Sequence, residues 1–242
     1  MAISTHGDYL VQITRLTAFN CFLVREDDSF TLVDTGMKGS EQTILKVARE
    51  HGVPIRRILL THAHIDHVGS LDALNALLPD AEVMISARDA RFLIGDRSLD
   101  ADEPQTPLRG GYPICTTKPT RLLKAGDRIG SLEVIASPGH TPGHVSFFDH
   151  RDRTLIAGDA YSTKAGISTG GTLRLLFPFP ALATWNKPLT IHSAEVLRDL
   201  NPARLAVGHG NTLENPVAAM ERAIAEAKRH IGKDGHATQE AY

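Results

Sequence analysis

Cysteine is scarce in this chain: Cys21 and Cys115 are the only two among 242 residues, far apart and in no CxxC spacing. That excludes a disulfide framework and a thiolate zinc site, and leaves two idle thiols of the kind a cytoplasmic protein carries. Basic clusters are lacking too. The 26 Lys and Arg are scattered among 28 Asp and Glu for a formal charge of −2, which offers no electrostatic footprint for nucleic acid or a membrane surface. Nowhere does an apolar run reach the roughly 18 residues of a membrane span. The opening MAISTHGDYLVQITRL has no basic start followed by a long apolar stretch, so a cytoplasmic location is the expectation. Internal repeats and low-complexity tracts are absent. With 42% apolar and 22% charged residues, usage is ordinary for a globular protein, which argues against disorder and coiled coil. The length suits one α/β domain spanning residues 1–242.

What is there is a succession of short β-type runs and helical runs. Strands are expected at Leu10 to Leu16, Asn20 to Arg25, Phe30 to Val33, Ile55 to Leu60, Glu82 to Ser86, Leu132 to Ala136, Val145 to Asp149, Thr154 to Ala157 and Leu205 to Val207. Helices are expected at Ser40 to His51, Gly69 to Leu77, Ala87 to Leu93, His192 to Leu200 and Pro216 to His230. The last carries Val217, Met220, Ile224 and Ala227 at a helical spacing that marks one buried face. Two stretches are irregular. Gly95 to Pro119, rich in Asp, Pro, Gly and Thr, reads as a surface excursion. Thr163 to Pro188 mixes Gly-rich and apolar parts with Phe177, Phe179 and the only tryptophan, Trp185.

At several strand ends an apolar run stops and a carboxylate or imidazole follows within a few positions: FTLVDTG, RRILLTHAHIDH, LEVIASPGH, TLIAGDA and RLAVGHG. Loops at strand ends carry side chains to one sheet edge while the strands hold them rigidly, so five distant segments can deliver ligands to one spot. The most informative stretch is His62-Ala63-His64-Ile65-Asp66-His67. In extended chain His62 and His64 point to the same side. Asp66 and His67 then enter the turn at a helix start and can face a second ion. His140, Asp159 and His209 each follow a strand-like run and sit beside glycine (Gly139, Gly158, Gly208, Gly210). Taken singly each is a weak signal, since a lone histidine at a strand end is commonly structural; the set carries the argument.

This set resembles the metallo-β-lactamase superfamily, whose ordered motifs are an Asp near the first strands, HxHxDH, a later His, a later Asp and a last His. The counterparts here are Asp34-Thr35-Gly36, His62 to His67, His140, Asp159 and His209. The resemblance implies a four-layer αβ/βα sandwich with two central sheets, helices outside and metals at one edge. It implies one ion on His62, His64 and His140, a second on Asp66, His67 and His209, and Asp159 bridging them. The cofactors would be two divalent ions, zinc first, with iron or manganese as alternatives, since imidazole and carboxylate suit these metals. Asp34 is expected to hydrogen-bond the ligand-bearing loops. A hydroxide shared by the ions would attack a carbonyl carbon, Asp66 orienting it as well as binding metal. Leaving-group protonation falls to Asp66, to water or to Tyr161, for which plain packing is equally well supported. His144 is tempting as an eighth ligand, but seven satisfy two ions, and a supporting role is expected. Leu173 to Pro180, with Trp185 following, is expected either as an apolar lip above the metals or as core or dimer contact.

The implied function is a binuclear metal-dependent hydrolase of a lactone, thioester, ester or lactam, acting on a small-molecule substrate with no nucleic-acid or membrane partner; a homodimer stays open. The fold does not choose among these substrates. His64 stands where oxygen- or nitric-oxide-reducing diiron relatives carry a carboxylate, which argues against a flavodiiron role. The chain ends not far past His209, short of the C-terminal helical domain of glutathione thioesterases. Acyl-homoserine lactonases carry DAxY, whereas here the run is Asp159-Ala160-Tyr161-Ser162. A β-lactamase proper would ordinarily be secreted, although its ligand set is close to this one. From other classes come an iron-dependent persulfide dioxygenase with one iron, and a catalytically dead scaffold.

Overall fold

The computed structural model describes residues 1–237; residues 238–242 of the expected 1–242 domain lie outside the described part. The first half of the chain builds one sheet from β1 (Ala2–His6), β2 (Leu10–Arg15), β3 (Phe19–Arg25), β4 (Phe30–Val33), β5 (Ile55–Leu59), β6 (Glu82–Ser86) and β7 (Arg121–Leu123), in that spatial order. β1 to β4 pair antiparallel and β4 to β7 parallel. Parallel neighbours need crossovers. These are α1 (Glu41–Glu50), then α2 (Ile65–Val68) with α3 (Leu71–Leu77), then α4 (Ala87–Leu93) with the long stretch after it.

The second half starts with β8 (Arg128–Ile129), β9 (Leu132–Ala136), β10 (Val145–Asp149) and β11 (Thr154–Ile156). A small ladder of β12 (Tyr161–Ser162) with β13 (Ser168–Thr169) follows, then α5 (Phe179–Ala183), α6 (Lys187–Asp199), β14 (Arg204–Ala206), β15 (Leu213–Glu214) and α7 (Val217–Ala237). Its six-stranded sheet has the order β15-β14-β11-β10-β9-β8, with β11 and β14 the parallel pair.

Strand alternation sorts the core into layers, because successive residues face opposite sides of a sheet. In β3, Leu23 packs with Ile44, Val47, Leu71 and Phe92 of the helices on one face. Its neighbours Phe22 and Val24 join Val33, Leu59, Val134 and Phe147 between the sheets. In β10, Phe147 is in that middle layer while Phe148 meets Leu197, Met220 and Ile224 of α6 and α7. Three apolar layers thus separate helices, sheet, sheet and helices, the αβ/βα sandwich that the motifs imply.

The differences from the sequence reading have local causes. β7, β8, β12, β13 and β15 are only two or three residues long, and β1 is exposed along Ala2 to Thr5, so no burial alternation marks it. α6 starts at Lys187 rather than at His192, because the Asn186 side chain accepts from the Leu189 N–H and Pro188 sits in the first turn. That is a capping signal with a helix-compatible proline, and it outranks apolar periodicity as a start marker. No helix among the described residues is long and apolar enough to cross a membrane.

Candidate metal centre

The loops after β4, β5, β9, β11 and β14 converge on one point. Asp34, directly after β4, takes a left-handed backbone (φ 61°) that Asp tolerates better than most residues. This turns its carboxylate inward to accept from the Thr61 N–H at 2.8 Å, the Thr61 hydroxyl at 2.8 Å and His67 Nδ1 at 2.7 Å. Asp34 therefore ties the loops together as expected. His64 is still extended (ψ 151°) at the cap of α2, which keeps it on the same side as His62 before the chain winds into the helix carrying Asp66 and His67.

Hydrogen bonding assigns the tautomers. The Thr61 hydroxyl gives its proton to Asp34, so it accepts from His62 Nδ1 at 3.0 Å and leaves Nε2 with a free lone pair. The Thr184 hydroxyl gives its proton to the Pro180 carbonyl and accepts from His140 Nδ1 at 2.9 Å, again freeing Nε2. His64 Nε2 donates to the Arg109 carbonyl at 3.0 Å, and here Nδ1 is left free. The freed atoms of His62, His64 and His140 then lie 3.1 and 3.0 Å apart with no proton between them. Asp159 joins them, its Oδ2 3.3 Å from His140 Nε2 and 3.0 Å from His209 Nε2, and its Oδ1 3.4 Å from His67 Nε2. Asp66 Oδ2 is 3.3 Å from His209 Nε2. Asp159 Oδ1 and His67 Nε2 are buried without a hydrogen-bond partner.

Converging lone pairs repel one another, and buried polar atoms without partners cost about 1–3 kcal/mol each. A cation removes both costs. A tetrahedral ion with bonds of ~2.0–2.1 Å needs ligand atoms ~3.3–3.4 Å apart, close to the separations found. His62, His64 and His140 form one group of potential ligand atoms and Asp66, His67 and His209 another, while His62, His67 and Asp159 link them; in each group the atoms lie within 4.8 Å of one another. All seven sequence candidates are brought together, and the donor set fits a pair of divalent ions. Burial, reinforced by neighbouring imidazoles, pushes the His62 and His140 pKa values well down. It takes His64 down to about 4. These three rings are neutral at pH 7, the form a metal needs. His67 goes up despite burial because Asp34, Asp159 and Asp66 surround it, His209 does so because of Asp159 and Asp66, and Asp159 is held down by His209, His67 and His140.

Two candidates part from the ligand set. His144 accepts the Asp159 N–H on Nε2 at 3.0 Å and meets the Ser137 hydroxyl through Nδ1 at 2.8 Å, so both nitrogens are committed to holding Asp159. Tyr161 requires a correction. Its side chain is fully buried and its hydroxyl donates to the Ala194 carbonyl of α6 at 2.8 Å, so it is a packing residue and not a proton donor to substrate. The turn closed by the Ala160 N–H on the Ala157 carbonyl lies between Asp159 and β12, so the two-residue spacing does not put Tyr161 on the Asp159 side. Tyr161→Phe should leave kcat within about twofold and lower stability by about 1–3 kcal/mol, through loss of a partner for a buried carbonyl. A large loss of kcat at unchanged stability would restore its catalytic role.

The metal-facing atoms sit at the base of a cleft of about 480 Å³ walled by Phe19, Met37, Ile65, Phe179 and Leu182; among the described residues no Lys or Arg lines it. Part of the expected lip is real: Phe177 packs against His209 with ring centroids 5.3 Å apart, and Phe179 stands exposed on the wall. Trp185 is not part of it, being buried with its indole N–H on the Thr106 carbonyl. Sequence reasoning also missed the floor supplied by the 95–119 excursion. Gly110 (φ 87°) and Gly111 line the cleft, and a Cβ at Gly110 would collide with His64. The Arg-Gly-Gly run was the available signal, a backbone built for close approach.

A family model described as the metallo-beta-lactamase superfamily matches residues 16–209. The chain belongs to this superfamily. Its likeness extends to an uncharacterized protein of Bacillus subtilis, YobT, 52% identical over 87% of this chain and 91% of that one. The hydroxyacylglutathione hydrolase GloC of Haemophilus influenzae is 30% identical over 69% of this chain and 76% of its own. Among solved structures, TTHA1623 in a di-iron-bound form superposes with a TM-score of 0.64 at 28% identity, covering 88% of this chain and 97% of that one.

Proposed function

We propose that this superfamily member is a binuclear metal-dependent hydrolase of uncharged carbonyl compounds, esters, lactones or thioesters, whose acyl part is apolar. The observation that carries the reading is the joining of two features. A seven-residue donor set lies at the base of the cleft, and the walls above it are aliphatic and aromatic with no cationic side chain. His62, His64 and His140 would hold one ion, Asp66, His67 and His209 the other, with Asp159 between them. Bound there, two divalent ions supply Lewis acidity and acidify water toward neutral pH. The chain's own residues do the rest. Asp66 is the carboxylate of the set with substantial exposure, at 20% of its side chain against 3% for Asp159. It is the group positioned to take the proton of the attacking water and pass it to the departing alkoxide or thiolate as the acyl bond breaks. Phe19, Ile65, Phe179 and Leu182 exclude water and receive the acyl part.

The absence of cationic side chains argues against phosphodiesters and other anionic substrates. The relative named hydroxyacylglutathione hydrolase supports a thioester as the bond cleaved; glutathione is itself anionic, so the uncharged-substrate reading takes the bond and not that thiol from the likeness. The di-iron-bound relative keeps iron beside zinc as the native metal, and elemental analysis decides between them. The test is a hydrolysis series on p-nitrophenyl esters and γ-lactones of increasing acyl length with the metal-loaded protein. kcat/KM should rise with length by up to about fourfold per methylene, the equivalent of ~0.8 kcal/mol. Phe179→Ala should flatten the rise and leave the acetyl substrate unaffected. A flat series, or a preference for carboxylated acyl groups, would sink the apolar-acyl reading.

A further inference from the structure

The buried carboxylate Asp89 has no part in the ligand set, yet it is bonded to both loops that carry the first three histidines. It lies in the first turn of α4, fully buried, with its N–H on the Ser86 hydroxyl. Its Oδ2 accepts from the Ala63 N–H at 3.0 Å and from the Thr141 hydroxyl at 2.8 Å, and its Oδ1 accepts from the Gly143 N–H at 2.8 Å. Ala63 stands between His62 and His64, Thr141 follows His140, and Gly143 precedes the His144 that holds Asp159. Among the described residues no ion pair includes Asp89, and the neighbouring Arg88 is committed to Glu103. Burial therefore raises its pKa to about 6, against the pull of its three hydrogen bonds.

A buried carboxylate without a cation costs several kcal/mol unless its acceptors are filled, so the site needs its particular chemistry. Three donors converge from two directions and only a carboxylate accepts from all of them; an asparagine would turn its NH2 against either Gly143 N–H or Ala63 N–H. The fit is close as well: a Cβ on Gly143 would come within 2.6 Å of Asp89 Oδ1 and of the Ser86 hydroxyl.

We infer that Asp89 is the positioning residue for the ion held by His62, His64 and His140, as Asp34 is for the ion held by His67. This division of labour rests on the two-ion reading above. The two carboxylates differ in what they bond: Asp34 bonds His67 directly and reaches His62 only through Thr61, whereas Asp89 makes no bond on the His67 side and clamps the backbones on either side of the three-histidine group. Metal sites are sensitive to such partners, whose loss costs about 10–100-fold in affinity.

The test is a Zn(II) titration of the chelator-treated chain against a competing dye, repeated with Co(II) for its ligand-field spectrum. The wild type should bind two ions. Asp89→Asn should weaken one of them about 10–100-fold and leave the other within twofold, and Asp34→Asn should weaken the other one, so that the two variants' residual one-ion Co(II) spectra differ. Thr141→Val removes one donor and keeps the carboxylate, so it stays informative if Asp89→Asn fails to fold; it should weaken the same ion by about 3–10-fold. Two ions bound with wild-type affinity in Thr141→Val and Asp89→Asn, or equal weakening of both ions, would overturn the assignment and leave the two-ion reading intact. A wild type that takes up fewer than two ions would overturn both.

Discussion

Asp66→Asn should cut kcat by about two to four orders of magnitude while the fold, the cleft and KM change little. The substitution is isosteric, and the backbone there is held by the Ile65 N–H on the Gly111 carbonyl and the His67 N–H on the His64 carbonyl, neither of which involves the side chain. What is lost is a negative charge 3.3 Å from His209 Nε2 and the one carboxylate of the donor set that is only partly buried. Asparagine binds metal poorly and does not shuttle a proton. Steady-state kinetics with metal content measured in parallel checks this, and the loss should persist when excess metal restores two ions per chain. More than a tenth of wild-type kcat under those conditions would remove Asp66 from the proton-transfer role.

Gly208→Ala should abolish metal uptake altogether. A Cβ at this position would overlap Asp159 Oδ1 and come within 2.7 Å of His67 Cε1. Neither neighbour has room to yield: the Asp159 backbone is pinned by His144 and the His67 ring by Asp34. Gly208 itself is pinned in turn, its N–H on the Gly158 carbonyl and its carbonyl accepting from the Asn20 N–H. The methyl therefore displaces the carboxylate common to both halves of the site. A ligand that binds only the native state at a thousand times its Kd stabilises by about 4 kcal/mol. Zinc should thus raise the Tm of the wild type by several degrees and that of the alanine variant not at all. A variant that still takes up two ions would mean that the site tolerates a different disposition of Asp159 from the one described.

The donor set was legible in sequence because coordination chemistry demands particular residue types. Period-two alternation put His62 and His64 on one side, and the strand-end pattern gathered His140, Asp159 and His209. The long strands were legible for the same kind of reason, since their apolar runs are buried on both faces. Where backbone pairing alone makes an element, as in β12 and β13, composition left no trace. Tyr161 is instructive: closeness to Asp159 along the chain suggested the site, but the turn at Gly158 to Ala160 separates the two before β12 begins, and the Tyr161 hydroxyl goes to Ala194. Asp89 was invisible because its partners Ala63, Thr141 and Gly143 are ordinary residues contributing mostly backbone groups.

By itself, then, the order of amino acids determined which side chains are candidate ligands and which layers the chain stacks into, because both follow from local chemistry and short-range period. Only the tertiary structure decided which nitrogen of each imidazole faces the centre, which carboxylates brace the ligands, and that an apolar cleft floored by Gly110 lies above them. Those outcomes depend on hydrogen bonds and contacts between segments tens of residues apart, and no local pattern encodes where such segments meet.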